Sequence, residues 1–226
     1  MDKALLDRLL ADREAHRAVA VVTDLASGTQ RLVRLDDFGN EPELADVLAQ
    51  AFARDQSRIV ETQAGEQFIH VFNPPLRMIV VGAVHVAQAL IPIAEATGYE
   101  VTIIDPRGAF ATEQRFPGVT LIEEWPDEVL PSLGIDQRTA FVALTHDPKI
   151  DDPALSFALD SPCFYIGALG SRKTHAARLE RLAAGGDKLG RIHGPIGLDI
   201  GARGPPEIAI SIMAEVTRAL RQGGTQ

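Results

Sequence analysis

The stretch between residues 77 and 105, RMIVVGAVHVAQALIPIAEATGYEVTIID, most constrains how this chain can fold. Met78–Val81 is a short apolar run that ends at Gly82, and a second such run covers Val101–Ile104. Between them, apolar residues recur at helical spacing up to Gly98. Continuous apolar runs are typical of parallel strands that are covered on both faces. The stretch therefore predicts a strand–helix–strand crossover.

The turn after the first strand, GAVHVA, is related to the G-x-G-x-x-G/A dinucleotide-binding motif. Gly82 and Ala87 supply the first glycine and the final small residue, whereas Val84 stands where the motif has its second glycine. Asp105 ends the next strand, near the offset of about 20 residues expected for a ribose-binding acid. We therefore predict that Gly82, His85 and Asp105 contribute to a ligand site. The alternative is a scaffold that binds no standard cofactor at this turn.

The alternation of strands and helices continues beyond Asp105. Further strands are predicted at residues 119–122, 139–144 and 163–166, and helices at residues 125–133 and 151–159. The predicted fold class is α/β, with a Rossmann-like, mostly parallel sheet in a domain that covers residues 74–226. The loops that follow parallel strands meet at one edge of such a sheet, where ligands bind.

The first part of the chain has a different pattern. Residues 1–73 predict a small α+β domain with an amphipathic helix capped by Asp2, a hairpin, a second helix and a second hairpin. The predicted bounds are residues 2–13 for the first helix, 17–25 and 30–35 for the first hairpin, 41–54 for the second helix, and 58–62 and 67–72 for the second hairpin.

A glycine-rich turn, GALGSRK, follows the predicted strand at residues 163–166 and opens a helix. Glycines, a capping serine and two cations at a helix N-terminus offer free amides and positive charge to an anion. The candidate residues are Gly167, Gly170, Ser171, Arg172 and Lys173. The competing interpretation is an ordinary turn with two solvated cations.

A second glycine-rich loop, GPIGLDIGARG, starts at residue 194 and leads into the last predicted helix. Its amides offer a second anion pocket, with Gly197, Asp199, Gly201 and Arg203 as candidate residues. A plain connector rich in left-handed backbone is the alternative.

The turn Thr145-His146-Asp147 follows the strand predicted at residues 139–144, so His146 and Asp147 are expected near the same sheet edge. No spacing of histidines and carboxylates repeats a zinc or iron pattern, and no nucleophile or acid/base motif stands out. We therefore assign neither a metal site nor catalytic residues. Any chemistry at the site would come from a bound cofactor.

The charge and composition of the chain limit the kinds of partner and location that are expected. The 22 basic and 31 acidic residues give a net charge of −9, which argues against a nucleic-acid partner. No apolar run approaches the roughly 18 residues of a membrane span, and no secretory signal is recognisable, so a cytoplasmic protein is expected. The one cysteine, Cys163, lies in an apolar run and is expected to be buried.

Several blocks of the sequence together resemble the XdhC/CoxI family. They are GAVHVAQAL, VTIIDPR, RFP, LTHDP, YIGALGSRKTHAARLERL and IHGPIGLDIGARGPPEIAISIMAEV, and the match covers roughly residues 77–222. Typical members carry a longer N-terminal domain and a glycine at the position of Val84. The resemblance is therefore to a short form of the family.

The resemblance implies a maturation factor that holds molybdenum cofactor as bound cargo, in the molybdopterin or the dinucleotide form. Such factors work with a cysteine desulfurase and deliver the cofactor to the apo-enzyme of a molybdenum hydroxylase, without turnover of their own. A homodimer is the default for this class. On this interpretation the two glycine-rich loops hold phosphate and Asp105 accepts from the ribose or pterin. His146 and Asp147 line the opening, and Arg203 completes the pocket.

Two other functions remain open from the sequence. Asp105 favours an NAD(P)-dependent oxidoreductase on the same fold, whereas Val84 disfavours it. The third interpretation is a scaffold that binds only protein partners, through the apolar N-terminal helix and hairpins.

Overall fold

A computed structural model describes residues 2–222 of the chain, with the exception of the side chains of residues 38–40. The described chain divides into two compact units, with the boundary between Pro75 and Leu76. Each unit has its own sheet and its own hydrophobic core.

The first unit is built on an antiparallel sheet of four strands in the order β2-β1-β4-β3. Its elements are α1 (Lys3–Glu14), β1 (Val19–Asp24), β2 (Gln30–Arg34), a 3-10 segment (Leu35–Asn40), α2 (Ala45–Arg54), β3 (Arg58–Thr62) and β4 (Gly65–Phe72). The predicted helices and hairpins are confirmed, and the Leu5 N–H donates to the Asp2 cap at 2.8 Å.

Helix α2 begins later than the predicted residue 41. The Leu44 N–H donates to the Glu41 carbonyl, which makes a tight turn before the helix, and the Glu41 side chain pairs with Arg31 on β2. The residues before α2 therefore form a turn that is bound to the sheet, and they are not part of the helix.

The second unit contains a sheet of six strands, all parallel, in the order β10-β9-β8-β5-β6-β7. Its elements are β5 (Leu76–Val81), α3 (His85–Ala96), β6 (Tyr99–Ile104), β7 (Thr120–Ile122), α4 (Pro126–Val129), β8 (Thr139–Ala143), α5 (Pro148–Asp160), β9 (Tyr165–Ala168), α6 (Arg172–Arg181), β10 (Ile192–His193) and α7 (Pro205–Gln222), with 3-10 segments at Leu130–Ser132 and Ala183–Arg191. The predicted α/β class with a Rossmann-like parallel sheet is confirmed. Numbered within this unit, the strand order is 3-2-1-4-5-6, the doubly wound arrangement, which opens a crevice where the order reverses between β5 and β8.

The central strand β5 shows why its sequence is apolar throughout. Met78 and Val80 face the cluster formed with α3 and α7, while Ile79 and Val81 face the cluster formed with α5. All four side chains are at most 1% exposed. Full burial of one such side chain stabilises a fold by roughly 1.5–3 kcal/mol, so this strand anchors both layers of the unit.

Two features near the sheet edge differ from the sequence prediction. Strand β9 occupies Tyr165–Ala168 rather than residues 163–166, because the Arg191 guanidinium donates to the carbonyls of Leu159, Ser161 and Cys163 and holds this segment as a connection. The two-residue strand β10 was not predicted, because two residues carry no periodicity. Cys163 is buried, as expected.

Gly82 at the end of β5 should be intolerant of a side chain. Its φ is +114°, and a Cβ would lie 2.7 Å from Thr145 Cγ2 and 3.1 Å from the Thr145 nitrogen. We expect Gly82→Ala to lower the free energy of unfolding by about 1–3 kcal/mol more than Gly98→Ala, measured by denaturant unfolding. Gly98 is the matched control, since it also has positive φ (+88°) but has no neighbour within 4 Å. Equal losses for the two variants would show that close packing at the β5–β8 turn is unimportant.

Candidate functional site

The first turn of the crevice is held by a buried carboxylate. The Ala83 N–H donates to Asp105 Oδ2 at 2.8 Å, and Arg107 donates to both carboxylate oxygens of Asp105. Burial alone would raise the pKa of Asp105, but the hydrogen bonds from Arg107 and Ala83 outweigh it and lower the pKa. Asp105 is 0% exposed, so in this structure its carboxylate holds the turn, and its role toward a ligand stays a prediction.

Val84 is accommodated because the positive φ of this turn is at Gly82. Val84 itself has extended backbone and is the N-cap of α3, without a side-chain cap. Its side chain is half-buried against the core, while His85, the first residue of the helix, is exposed. The first-turn amides of α3 therefore lie at the carboxyl end of β5.

The turn after β8 is organised by Asp151 of α5. Its carboxylate accepts from Thr145 Oγ1 at 2.6 Å and from the His146 N–H at 3.0 Å. Burial raises the pKa of Asp151, against the opposing effect of these donors. His146 has φ +62° and is exposed, and Asp147 caps α5 by accepting from the Lys149 N–H. A non-glycine residue in left-handed backbone costs about 1–2 kcal/mol, which the hydrogen bonds to Asp151 offset.

The beginning of the GALGSRK turn is closely packed, and its end is exposed. Gly167 is a residue of strand β9, and a Cβ there would collide with Ile196, so Gly167 serves close packing rather than the loop predicted for it. Ser171 caps α6 by accepting from the Thr174 N–H at 3.1 Å, which confirms the predicted cap. Arg172 and Lys173 are exposed in the first turn of α6.

A buried arginine that sequence reasoning missed lies beneath this turn. Arg178 Nη2 donates to the Leu169 carbonyl at 3.0 Å and lies 3.6 Å from Asp151 Oδ2. Arg178 is 1% exposed, and burial lowers its pKa. This ion pair joins the turn after β8 to the turn after β9. In the sequence, Arg178 is not distinguishable from the other arginines of α6.

The second glycine-rich loop is anchored by Glu215 of α7. The Glu215 carboxylate accepts from Tyr165 Oη at 2.7 Å and from the Gly197 N–H at 2.8 Å, and it lies 3.3 Å from His193 Nδ1. Burial opposes ionisation, but the hydrogen bonds from His193, Tyr165 and Gly197 lower the pKa of Glu215 to about 2. Gly197 has φ +92° and lies directly against Ser211 of α7, so the start of this loop is fixed.

The rest of this loop is open. Asp199, Gly201 and Arg203 are exposed, and the Arg203 N–H donates to Glu207 in the first turn of α7. The start of the loop is joined to the GALGSRK turn, because the Ile196 N–H donates to the Ala168 carbonyl and Gly194 packs on the His175 ring.

Hydrogen bonds and close contacts therefore link the turns after β5, β6, β8 and β9 and the beginning of the last loop at one sheet edge. Among the predicted residues this includes Gly82, Asp105, His146, Asp147 and Gly170, whereas Arg203 and its neighbours lie on the open part of their loop. Helix N-terminal amides and the exposed cations of α6 make the edge suited to binding an anion. Within residues 2–222, no group of three side chains is arranged to hold a metal ion, and no helix is long and apolar enough to cross a membrane.

The strand order and the glycine turns at its reversal define a Rossmann-type binding domain. A family model described as the XdhC Rossmann domain matches residues 78–216. The chain therefore belongs to the XdhC family.

Named relatives agree with this assignment. The chain is 33% identical over 193 residues to a probable xanthine dehydrogenase subunit of Bacillus subtilis (strain 168), covering 82% of this chain and 55% of that protein. It is 34% identical over 148 residues to the molybdenum cofactor insertion chaperone PaoD of Escherichia coli (strain K12), covering 64% of this chain and 40% of PaoD. The chain thus spans about half the length of these relatives.

A solved structure shares the fold. The crystal structure of a xanthine dehydrogenase from Bacillus halodurans matches with a TM-score of 0.71 and 24% identity, over 96% of this chain and 63% of that one.

The anchor of the second loop should make stability depend on pH. Because the pKa of Glu215 is lowered from 4.5 to about 2, its stabilising effect is full above pH 4.5 and is lost as the pH falls toward 2. We expect Glu215→Gln to lower the free energy of unfolding at pH 7 by about 1.5–3 kcal/mol, and the gap to wild type to narrow across that pH window. Glu95→Gln, an exposed change on α3, is the control. A gap that stays constant between pH 7 and 2 would contradict an ionised anchor.

Proposed function

We propose that the chain binds molybdenum cofactor and delivers it to a molybdenum hydroxylase, as a maturation factor without turnover of its own. The observation that carries this proposal is the anion-binding edge of an XdhC-family Rossmann domain, where glycine turns, helix N-terminal amides and cations converge. The name of PaoD, an insertion chaperone for molybdenum cofactor, supports the same function.

The chemistry of the residues fits a phosphate-bearing pterin. The first-turn amides of α6 with the exposed Arg172 and Lys173 would receive the phosphate. The open loop from Gly197 to Gly204 supplies further amides, and His146 and Asp147 line the neighbouring turn. The cofactor supplies the redox chemistry once it reaches the client, and the residues named here only bind and orient it.

The proposal extends to partners and location. The client is the apo-enzyme of a xanthine dehydrogenase-type hydroxylase, which the name of the Bacillus subtilis relative supports. A cysteine desulfurase and a homodimeric state are further parts of the proposal, and they rest on the family resemblance. The proposal also includes the cytoplasmic location that is expected from the sequence.

One observation argues against the alternative function, an NAD(P)-dependent oxidoreductase. The doubly wound strand order favours a nucleotide, but both oxygens of the Asp105 carboxylate accept from Arg107 and the carboxylate is fully buried. An acid that reads a ribose needs an oxygen free to accept from the sugar hydroxyls. Tight binding of NAD together with hydride transfer would support the oxidoreductase instead.

The test is anaerobic binding of purified molybdenum cofactor, in both forms, to the wild type and to an Arg172→Ala/Lys173→Ala double variant. We expect stoichiometric binding by the wild type and binding at least about ten-fold weaker by the variant, because two cations near a phosphate are lost.

The control variant is Lys3→Ala/Arg8→Ala, which removes two exposed cations from α1 of the first unit and should bind as the wild type does. Failure of the folded wild type to bind either form would refute the carrier. A scaffold that binds only protein partners would then be the better account.

A further inference from the structure

The inner face of α6 carries polar atoms that the fold leaves unpaired. Three buried side-chain nitrogens of this helix, His175 Nδ1, Arg178 Nε and Arg178 Nη1, have no hydrogen-bond partner within the described part of the chain. They belong to two residues one turn apart. Buried polar groups are almost always paired, so this concentration points to a missing ligand.

The Arg178 guanidinium faces the N-terminal turn of its own helix. Its Nη2 donates to the carbonyl of Leu169, two residues before the Ser171 cap, and this bond holds the guanidinium at the level of the turn. The nearby Asp151 carboxylate lies 3.6 Å from the same Nη2. The other two nitrogens of this guanidinium, Nε and Nη1, take no part in these contacts and have no hydrogen-bond partner.

Gly170 leaves this guanidinium uncovered by a side chain. A Cβ at Gly170 would lie 3.8 Å from Arg178 Nη1 and 3.1 Å from Thr174 Cγ2. Any larger residue would therefore lie over Nη1 and crowd Thr174. A glycine at this position therefore places no Cβ beside Nη1.

His175 extends the same unpaired surface toward the second loop. Its ring packs on Gly194, and its Nδ1 is buried. Desolvation, and then the nearby Arg178 charge, lower the pKa of His175, which favours the neutral form of the ring. A neutral imidazole with its proton on Nδ1 can donate to an oxygen.

We propose that Arg178 and His175 form a buried receptor for a phosphate group beneath Gly170, between the two glycine-rich turns. The ligand class is a phosphate monoester or diphosphate, because a guanidinium fork with adjacent helix amides matches the oxygens of a tetrahedral oxyanion. Arg172 and Lys173, which are exposed, attract the anion to the turn, whereas Arg178 binds it. The inference rests on the proposed function only in assigning this phosphate to molybdenum cofactor.

The test is a titration of the ¹⁵N-labelled full chain with inorganic phosphate and pyrophosphate, followed at the arginine Nε–H resonances. We expect the Arg178 Nε–H resonance to shift on saturation. Arg178→Lys keeps the charge opposite Asp151 but removes the fork, and should weaken binding about ten-fold or more. Arg181→Lys, an exposed arginine on the same helix paired with Asp152, is the matched control and should bind as the wild type does.

A second variant, at His175, tests the same proposal if the Arg178→Lys protein does not fold. His175→Gln changes a half-buried side chain and should also weaken phosphate binding, with folding checked by Tm. Binding that is unchanged in both folded variants but lost in Arg172→Ala/Lys173→Ala would overturn the receptor, as would the absence of any phosphate binding by the wild type.

The same proteins are assayed with molybdenum cofactor to separate the two proposals. Phosphate binding through Arg178 without cofactor binding would refute the cofactor carrier and leave the phosphate receptor intact. Cofactor binding that is equally tight in the wild type and in Arg178→Lys would refute the assignment of this receptor to the cofactor and leave the carrier intact.

Discussion

Buried carboxylates that accept backbone N–H groups hold together the sheet edge that carries the candidate site. Asp105 binds the turn after β5, Asp151 binds the turn after β8, and Glu215 binds the start of the last loop. Each acid belongs to a different element from the turn that it holds. Since a buried carboxylate is costly unless its oxygens are paired, each of these interactions fixes both the turn and the element that supplies the acid.

This arrangement also explains why Arg107 and Arg178 differ in how many of their donors are paired. Arg107 completes the pairing of Asp105, so its charge is largely used within the fold. Arg178 instead shares only one nitrogen with Leu169 and Asp151. At the turn after β9, Arg178 therefore has two nitrogens without a hydrogen-bond partner, whereas at the turn after β5 the charges of Arg107 and Asp105 are paired with each other. A ligand should find its strongest partners on the α6 side of the crevice.

The sequence was sufficient for the fold class but not for the interior of the site. Apolar runs such as Met78–Val81 predicted a parallel sheet covered on both faces, and this held because the pattern reflects burial directly. Arg178 and Glu215 could not be found in the same way. Each lies on a helix among other charged residues, and only tertiary packing distinguishes a buried charge from a solvated one. Gly167 was misplaced for a related reason, since a glycine that packs against Ile196 looks like a loop glycine.

The two outer strands of the parallel sheet are very short. Strand β7 has three residues and β10 has two, and Pro195 follows β10 closely. Exposed strand edges are templates for intermolecular pairing and aggregation, and so few free amides and carbonyls offer little to a second sheet. This unit is thereby protected against joining its own copies strand to strand. Any self-association of this unit would have to use its helices or loops.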